Sequence, residues 1–479
     1  MRLLWRWWLL LRLRKRRILK RKSLIFWLFA GVLIFHFGLF SSPDFQDKSM
    51  NRNLLEDPKA QNPKTHKLAV NISVDSILSR LKRYKEMVDC PKVVRGDVRA
   101  IRQAKRWEFD ESYVWDEIYA AKDRCQAIKT LFGFIDRPLT QEEAEYPLAY
   151  GMLIYQNSVQ ILFLLSAVYQ PQNQFCVVID EKASAAFKRE MELIAGCFPN
   201  IIISYVPPVR WCKFGVLKGV FSCVEQLART KAEWNYFQYL SGTDLPLKTN
   251  LEMVRIFKAL NGSFNFGIAD FPWDRIQNQT NWSPMTLYKS SLSATFNRAS
   301  AEYLLRHRKT RELMNFLSKS ECSDETVWAS LAGNTDMPGG LNASVLYAKL
   351  IEIFWTVDYN RGWSRFGLYA PEKYYISRFQ TWFHGHIPCY GKLVQLSCVF
   401  GVRDLAGILA RPELIAHKFY LDFQPATYFC AYEAVRKRTF DPNWDFTAEE
   451  YGQLPGPRVM RGEDLRSMDV LSPAGLDFF

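Results

Sequence analysis

The 479-residue chain contains no Asp-x-Asp triplet, no Gly-x-Gly-x-x-Gly turn, no P-loop and no Cys-x-x-Cys pair. The first absence removes the usual carboxylate cage for a hard divalent cation. The next two remove the backbone cradles that dinucleotides and nucleoside triphosphates use, and the last removes the common zinc and redox spacings. Histidine is scarce, with six in all. His384-Gly385-His386 is the nearest approach to a metal pair, and two histidines on one extended segment more often sit on a surface or in a core. No metal and no cofactor is therefore expected. Acids are missing from residues 1–22, which hold ten Arg or Lys; of the net charge of +14 this leaves only +4 for the other 457 residues. A nucleic-acid-binding domain would need a basic face on its folded part, so nucleic acid is not an expected partner.

What is present begins with topology. The basic block is followed by residues 24–40, an uncharged and mostly apolar run with Phe26, Trp27, Phe29, Phe35 and Phe37. As a helix it spans roughly 26 Å, close to the ~27 Å of a thin early-secretory bilayer. It ends in Phe40-Ser41-Ser42-Pro43 without a small-residue cleavage site, so residues 23–42 read as an uncleaved signal anchor. The positive-inside rule then places residues 1–22 in the cytosol and the rest in the lumen, which makes a single-pass type II membrane protein. Five Asn-x-Ser/Thr sequons, at Asn71, Asn261, Asn278, Asn281 and Asn342, suit a lumenal glycoprotein. Ten cysteines suit an oxidising compartment.

Residues 43–89 are polar, lack a sustained apolar period and read as a stem. Residues 90–440 have globular composition, and 441–479, rich in Pro, Gly and acids, read as a tail lying over the surface. From 146 to 248 short apolar runs alternate with longer helical ones. Strands are expected at 149–155, 174–180, 200–206 and 236–240, with helices at 158–169, 183–198 and 215–228. This order predicts an α/β fold whose mainly parallel sheet is covered on both faces, with the ligand at the carboxyl ends of the strands. Asp180 and Asp244 fall at that edge. An Asp after a strand can bind a ribose or base, and can equally cap the next helix.

Several blocks then occur in order: Tyr146-Pro147-Leu148-Ala149-Tyr150, Val178-Ile179-Asp180-Glu181-Lys182-Ala183, Ser241-Gly242-Thr243-Asp244-Leu245-Pro246-Leu247-Lys248 and Ser323-Asp324-Glu325-Thr326-Val327-Trp328. Cys389-Tyr390-Gly391, Cys398-Val399-Phe400-Gly401 and Ala416-His417-Lys418-Phe419 extend them. Together they resemble the core-2/I-branching β-1,6-N-acetylglucosaminyltransferases, a family shared with peptide O-xylosyltransferases. The stretch 264–290 matches poorly. The resemblance implies a Golgi enzyme with a GT-A-like fold that inverts configuration without a metal. Its donor would be UDP-GlcNAc, and its acceptor a hydroxyl of a glycan or glycoprotein, which receives a β-1,6 branch. A xylosyltransferase, or a catalytically silent Golgi glycan-binding protein of the same fold, are the alternatives.

The same resemblance assigns roles to residues. Glu325 becomes the general base, on a helix that Ser323 would cap and that continues through Val327 and Trp328. An acid in a first turn can also serve the helix dipole without chemistry. Asp180 would contact uridine, Trp211 would lie near the nucleotide and Asp244 near the donor sugar. Phe379 or Trp382 would offer an aromatic wall to the acceptor. The family's acceptor-binding acid has no counterpart near Gly267. Lys418 matches the family's lysine on the departing diphosphate, whereas the partnering arginine is replaced by Gln395, with Lys392 and Arg403 as candidates to supply the missing charge. The expected disulfides are Cys90 with Cys430, Cys125 with Cys197, Cys176 with Cys223 and Cys389 with Cys398. Cys212 and Cys322 are left free or bridging each other. The topology is checked in sealed microsomes: external protease should trim only a few kilodaltons, and loss of the whole chain would contradict a lumenal domain.

Overall fold

A computed structural model of the chain describes residues 72–267, 269–277, 279–332, 375–383 and 387–463. The expected anchor at 23–42, most of the expected stem, Asn71, Asn278, Asn342, His384, His386 and residues 464–479 lie outside these. Among the described residues no helix is long and apolar enough to cross a membrane.

The alternating segment folds as β1 (Leu148–Ile154), α1 (Ser158–Val168), β2 (Gln174–Asp180), α2 (Ala185–Cys197), β3 (Ile201–Val206), α3 (Phe214–Arg229) and β4 (Tyr236–Ser241). β3, β2, β1 and β4 lie side by side and parallel. Then come β5 (Asp244–Pro246), α4 (Asn250–Ala259), β6 (Asn265–Phe266), the hairpin of β7 (Ala269–Asp270) and β8 (Tyr288–Lys289), and β9 (Ala294–Asn297). β9 and β6 continue the main sheet beyond β4 in antiparallel pairing, so the six-stranded sheet is mixed. Helices α5 (Arg298–Arg306), α6 (Arg308–Leu317) and α7 (Val327–Ala332) follow. A second sheet joins β10 (Phe379–Gln380) and, beyond the hairpin of β11 (Lys392–Val394) and β12 (Ser397–Val399), β13 (Ile415–His417) in the order β10-β13-β5. The long helix α8 (Ala426–Phe440) completes the core.

Burial explains the sequence patterns. α3 turns Leu217, Val220, Cys223, Val224 and Leu227 inward at helical spacing, as a helix with one wet face must. Every residue of α1 is buried, because α8 covers the side that the sheet does not. Two hydrogen bonds cross that shared face: Arg436 Nη1 donates to Ser166 O at 2.6 Å and Tyr428 OH to Gln160 O at 3.3 Å. Where β1 passes α3 the backbone needs Gly151, since a Cβ there would meet the Phe237 ring at 2.7 Å. Residues 74–87, within the span expected as stem, form two short helices whose Val74, Ile77, Leu78 and Tyr84 enter the core. The described part of the tail packs too, with Tyr451 and Leu454 buried and Trp444 Nε1 donating to Glu252 at 2.7 Å.

Five disulfides bind these parts: Cys90–Cys430, Cys125–Cys197, Cys176–Cys223, Cys389–Cys398 and Cys212–Cys322. The first spans 340 residues and ties the opening helices to α8. In the chain-entropy picture such a closure is worth on the order of 5 kcal/mol. Cys90→Ser with Cys430→Ser should therefore lower the melting temperature by on the order of 10 °C; an unchanged melting curve would contradict that weight.

Candidate active site

β4 ends at Ser241, and the Gly242-Thr243 turn brings the chain back into β5 at Asp244. The Asp244 carboxylate closes this turn, accepting from Ser241 N at 2.7 Å and Ser241 Oγ at 2.8 Å. It has no exposed surface. The second sheet supplies the rest of its surroundings. β13 pairs His417 opposite Asp244, and His417 Nδ1 lies 2.6 Å from Asp244 Oδ1. Arg378, one residue before β10, places Nη1 3.7 Å from Oδ2. Asn265 fixes that segment by accepting from Ile376 N at 3.0 Å and Ser377 N at 3.2 Å. Burial pushes the Asp244 carboxyl upward, yet Arg378, His417 and the Ser241 amide together hold it below the usual carboxylate range. His417 is pushed down to about 4 by burial and by the Arg378 cation. At neutral pH the triad is thus an anion, a cation and a neutral imidazole.

Lys418 follows directly. The residue is 6% exposed, and its ammonium donates to Val394 O at 3.0 Å. Burial, then the nearby Arg378, lowers its pKa. Val394 ends β11, and the two-residue turn to β12 has Gln395 at φ 52° and Leu396 at φ 63°, the paired left-handed residues of a tight hairpin. Gln395 is therefore exposed at the hairpin tip beside Lys418. Cys389–Cys398 closes the base of this hairpin.

Asp180, at the end of β2, is buried and fully engaged. It accepts from Lys182 N at 2.9 Å and Val209 N at 3.2 Å, and pairs with Lys182 Nζ at 3.2 Å. It thereby holds the loop between β3 and α3, on which Trp211 stands 72% exposed. Cys212–Cys322 links that loop to the turn carrying Glu325, and Cys322 N donates to Cys212 O at 2.7 Å.

The expected helix cap at Ser323 is not formed. Ser323–Glu325 is a tight 3-10 turn that precedes α7, and Ser323 Oγ has no hydrogen-bond partner. Cys322, in the left-handed region at φ 44°, reverses the chain too sharply for an α-helix to start there. Glu325 Oε2 accepts from Arg275 Nη2 at 2.6 Å and lies 3.8 Å from Lys289 Nζ. Both cations come from the poorly matching 264–290 stretch. Asp324 is buried with Oδ1 unpartnered, and burial followed by the Glu325 charge raises its pKa to about 7. The Arg275 and Arg378 cations offset part of that rise.

Of the two aromatic candidates only Trp382 is open, 42% exposed and bridged to Ser397 of β12. Phe379 is a core residue, stacked on Phe400 with ring centres 5.6 Å apart and covered by the Arg411 guanidinium at 4.5 Å. Asn261 and Asn281 are exposed, as glycan attachment requires. Among the described residues no three His, Cys, Asp or Glu side chains gather as metal ligands. Arg378, His417, Arg275 and Asp324 escaped the sequence reading. Two of them adjoin the residues it chose, Lys418 and Glu325; the two arginines carry no local signal, because only the tertiary fold brings them in.

Residues 148–365 match a family model described as Branch: Core-2/I-Branching enzyme. The chain is 28% identical over 382 residues to the beta-1,3-galactosyl-O-glycosyl-glycoprotein beta-1,6-N-acetylglucosaminyltransferase 3 of Rattus norvegicus, covering 74% of this chain and 84% of that one. It is 27% identical over 389 residues to a beta-1,3-galactosyl-O-glycosyl-glycoprotein beta-1,6-N-acetylglucosaminyltransferase of Homo sapiens, covering 74% and 86%. A protein of the same name from Bovine herpesvirus 4 is 29% identical over 372 residues, with 70% and 79% covered. The family resemblance read from the sequence extends over most of the chain.

The elevated Asp324 pKa carries a signed consequence for stability. Below about pH 4 this carboxyl is protonated in both folded and unfolded chains. As the pH rises toward 7 the unfolded chain releases the proton and the folded chain retains it, so stability falls across that window. Asp324→Asn should be more stable than wild type at pH 8 by roughly 1 to 4 kcal/mol, with the advantage shrinking toward pH 4. Denaturant melts at both pH values check this, and a variant less stable at pH 8 would contradict it.

Proposed function

We propose that this chain, similar over most of its length to the core-2/I-branching enzymes, transfers N-acetylglucosamine from UDP-GlcNAc to a glycan hydroxyl and forms a β-1,6 branch. The observation that carries this reading is the family match over residues 148–365, which contains the turn of Glu325. The relatives' name points to a β-1,3-galactosyl O-glycan as the acceptor. The setting is the Golgi lumen, reached through the anchor at 23–42.

The chemistry needs a base for the acceptor proton and charge compensation for the leaving group. Glu325 is the group this reading assigns to the first. Arg275 and Lys289 both address Oε2, and the side chain keeps 27% of its surface open, so Oε1 is left to receive a proton. The acceptor oxygen, losing its proton to Glu325, bonds to C1 of the sugar as the bond from C1 to the diphosphate oxygen breaks, and configuration inverts. The electron pair leaves with UDP. Lys418 meets that charge, and no metal is invoked, since the chain has no Asp-x-Asp. Trp382 is the open aromatic surface for a sugar ring, and Trp211 stands on the loop that Asp180 orders at the nucleotide edge.

Glu325→Gln keeps size and loses basicity, so turnover should fall by about 10² to 10⁴, with UDP binding and melting temperature little changed. A panel of UDP-sugars with UDP release as the readout checks both donor and base. Retained activity above about a tenth of wild type would reject Glu325, and complete loss on adding EDTA would reject the metal-free mechanism.

A further inference from the structure

Both cysteines of the Cys212–Cys322 bridge stand in the left-handed backbone region, Cys212 at φ 61° and Cys322 at φ 44°. Among the described residues no cysteine of the other four bridges does. That conformation is unfavourable for a residue with a Cβ, which keeps it only where its surroundings over-determine it. Glycine and asparagine adopt it most readily, and the sequence has neither at these two positions. What imposes it here is the bond itself and the hydrogen bond beside it, from Cys322 N to Cys212 O at 2.7 Å. The next pair outward, Lys213 and Glu321, forms an ion pair, but both side chains are half-exposed and such a pair contributes little.

The two bends matter for what they carry. Cys212 follows Trp211 on the loop after β3, and that loop has its own anchor: Val209 N donates to Asp180 at 3.2 Å and Val209 O accepts from Lys182 Nζ at 2.8 Å. Cys322 opens the turn of Glu325, and Glu325 N donates to Cys322 O at 3.0 Å, so the φ of Cys322 sets the direction in which the turn leaves. The far end of the turn is fixed by the core, where Thr326 and Val327 are fully buried. Its remaining backbone contacts run to the 269–290 region, with Glu321 N donating to Arg275 O at 3.1 Å and Ser290 N to Glu325 O at 2.7 Å. The bridge is the covalent tie between the loop that Asp180 orders and the turn that presents the base.

We infer that the Cys212–Cys322 bridge is a positioning element of the transfer: by holding two residues in the left-handed region it fixes the turn of Glu325 against the loop of Trp211. The inference rests on the proposed transferase reading for the role of Glu325. Without the bond, serine at either position lets the backbone relax out of the left-handed region, whereas glycine keeps it at no steric cost. A base shifted in this way loses rate out of proportion to any loss of stability, since a misplacement near 1 Å costs on the order of 10² in turnover.

The test compares two double variants of the full-length chain in detergent, neither able to form the bond, well below their melting temperatures. Cys212→Ser with Cys322→Ser should lower kcat with UDP-GlcNAc about tenfold to a hundredfold. Its UDP affinity should stay within about twofold of wild type, because Asp180 anchors Val209 independently of the bridge. Cys212→Gly with Cys322→Gly should return kcat to within about threefold of wild type. Lys213→Ala should change kcat by less than about twofold. Lost stability alone predicts equal losses in the two double variants, since both lack the same cross-link. A serine pair that keeps kcat within about twofold of wild type, serine and glycine pairs that lose equally, or a serine pair that no longer binds UDP would overturn the positioning role and leave the transferase reading standing. A wild type that releases UDP from none of the UDP-sugars would overturn that reading and this inference with it.

Discussion

A single buried carboxylate, Asp244, organises the region where the two sheets meet. It has no access to water, so its charge persists only because Ser241, His417 and Arg378 surround it. The dependence is mutual: Arg378, itself buried, has no other carboxylate within ion-pair distance among the described residues. Removing either side would strand the other charge, at a cost of about 3 to 5 kcal/mol. That pairing fixes β13 and the segment before β10 against β5, and so sets where Lys418 emerges, one residue beyond His417. The donor side of the proposed site is a consequence of this one electrostatic junction.

The base side is built by different means. A disulfide, a left-handed cysteine and a tight turn hold Glu325 at the end of a loop, and two cations reach it from a hairpin region. Asp324 joins the two halves. Its buried carboxyl senses both the Glu325 charge and the Arg378 cation.

Much of the central fold could be read in advance. The strands β1 to β4 and the helices between them fall within one or two residues of the pattern expected from apolar runs and helical periods, because each buries a continuous face. The pattern failed where local sequence is a poor guide. β9 and β6 are two to four residues long and turn the sheet antiparallel, too short for any period to show. Ser323 looked like a cap, yet the φ of Cys322 and the constraint of its disulfide override that preference. Phe379 looked like a stacking surface, yet Phe400 and Arg411 close over it. For the site, the acids and Lys418 were visible as motif residues. Arg378 was not, since a buried arginine is recognisable only once its partner, 134 positions earlier in the chain, is seen beside it. Arg275 lay in the stretch with least likeness to the family, so nothing local marked it.

The central claim is that this arrangement performs an inverting transfer of N-acetylglucosamine to O6 of a glycan. Its most direct test is the structure of the product made from UDP-GlcNAc and a β-1,3-galactosyl O-glycan acceptor, followed by NMR. The account predicts a new β-configured anomeric proton, with a correlation placing the added sugar on a 6-hydroxyl. An α-linked product, or transfer to a serine hydroxyl of a peptide in place of a glycan, would contradict it.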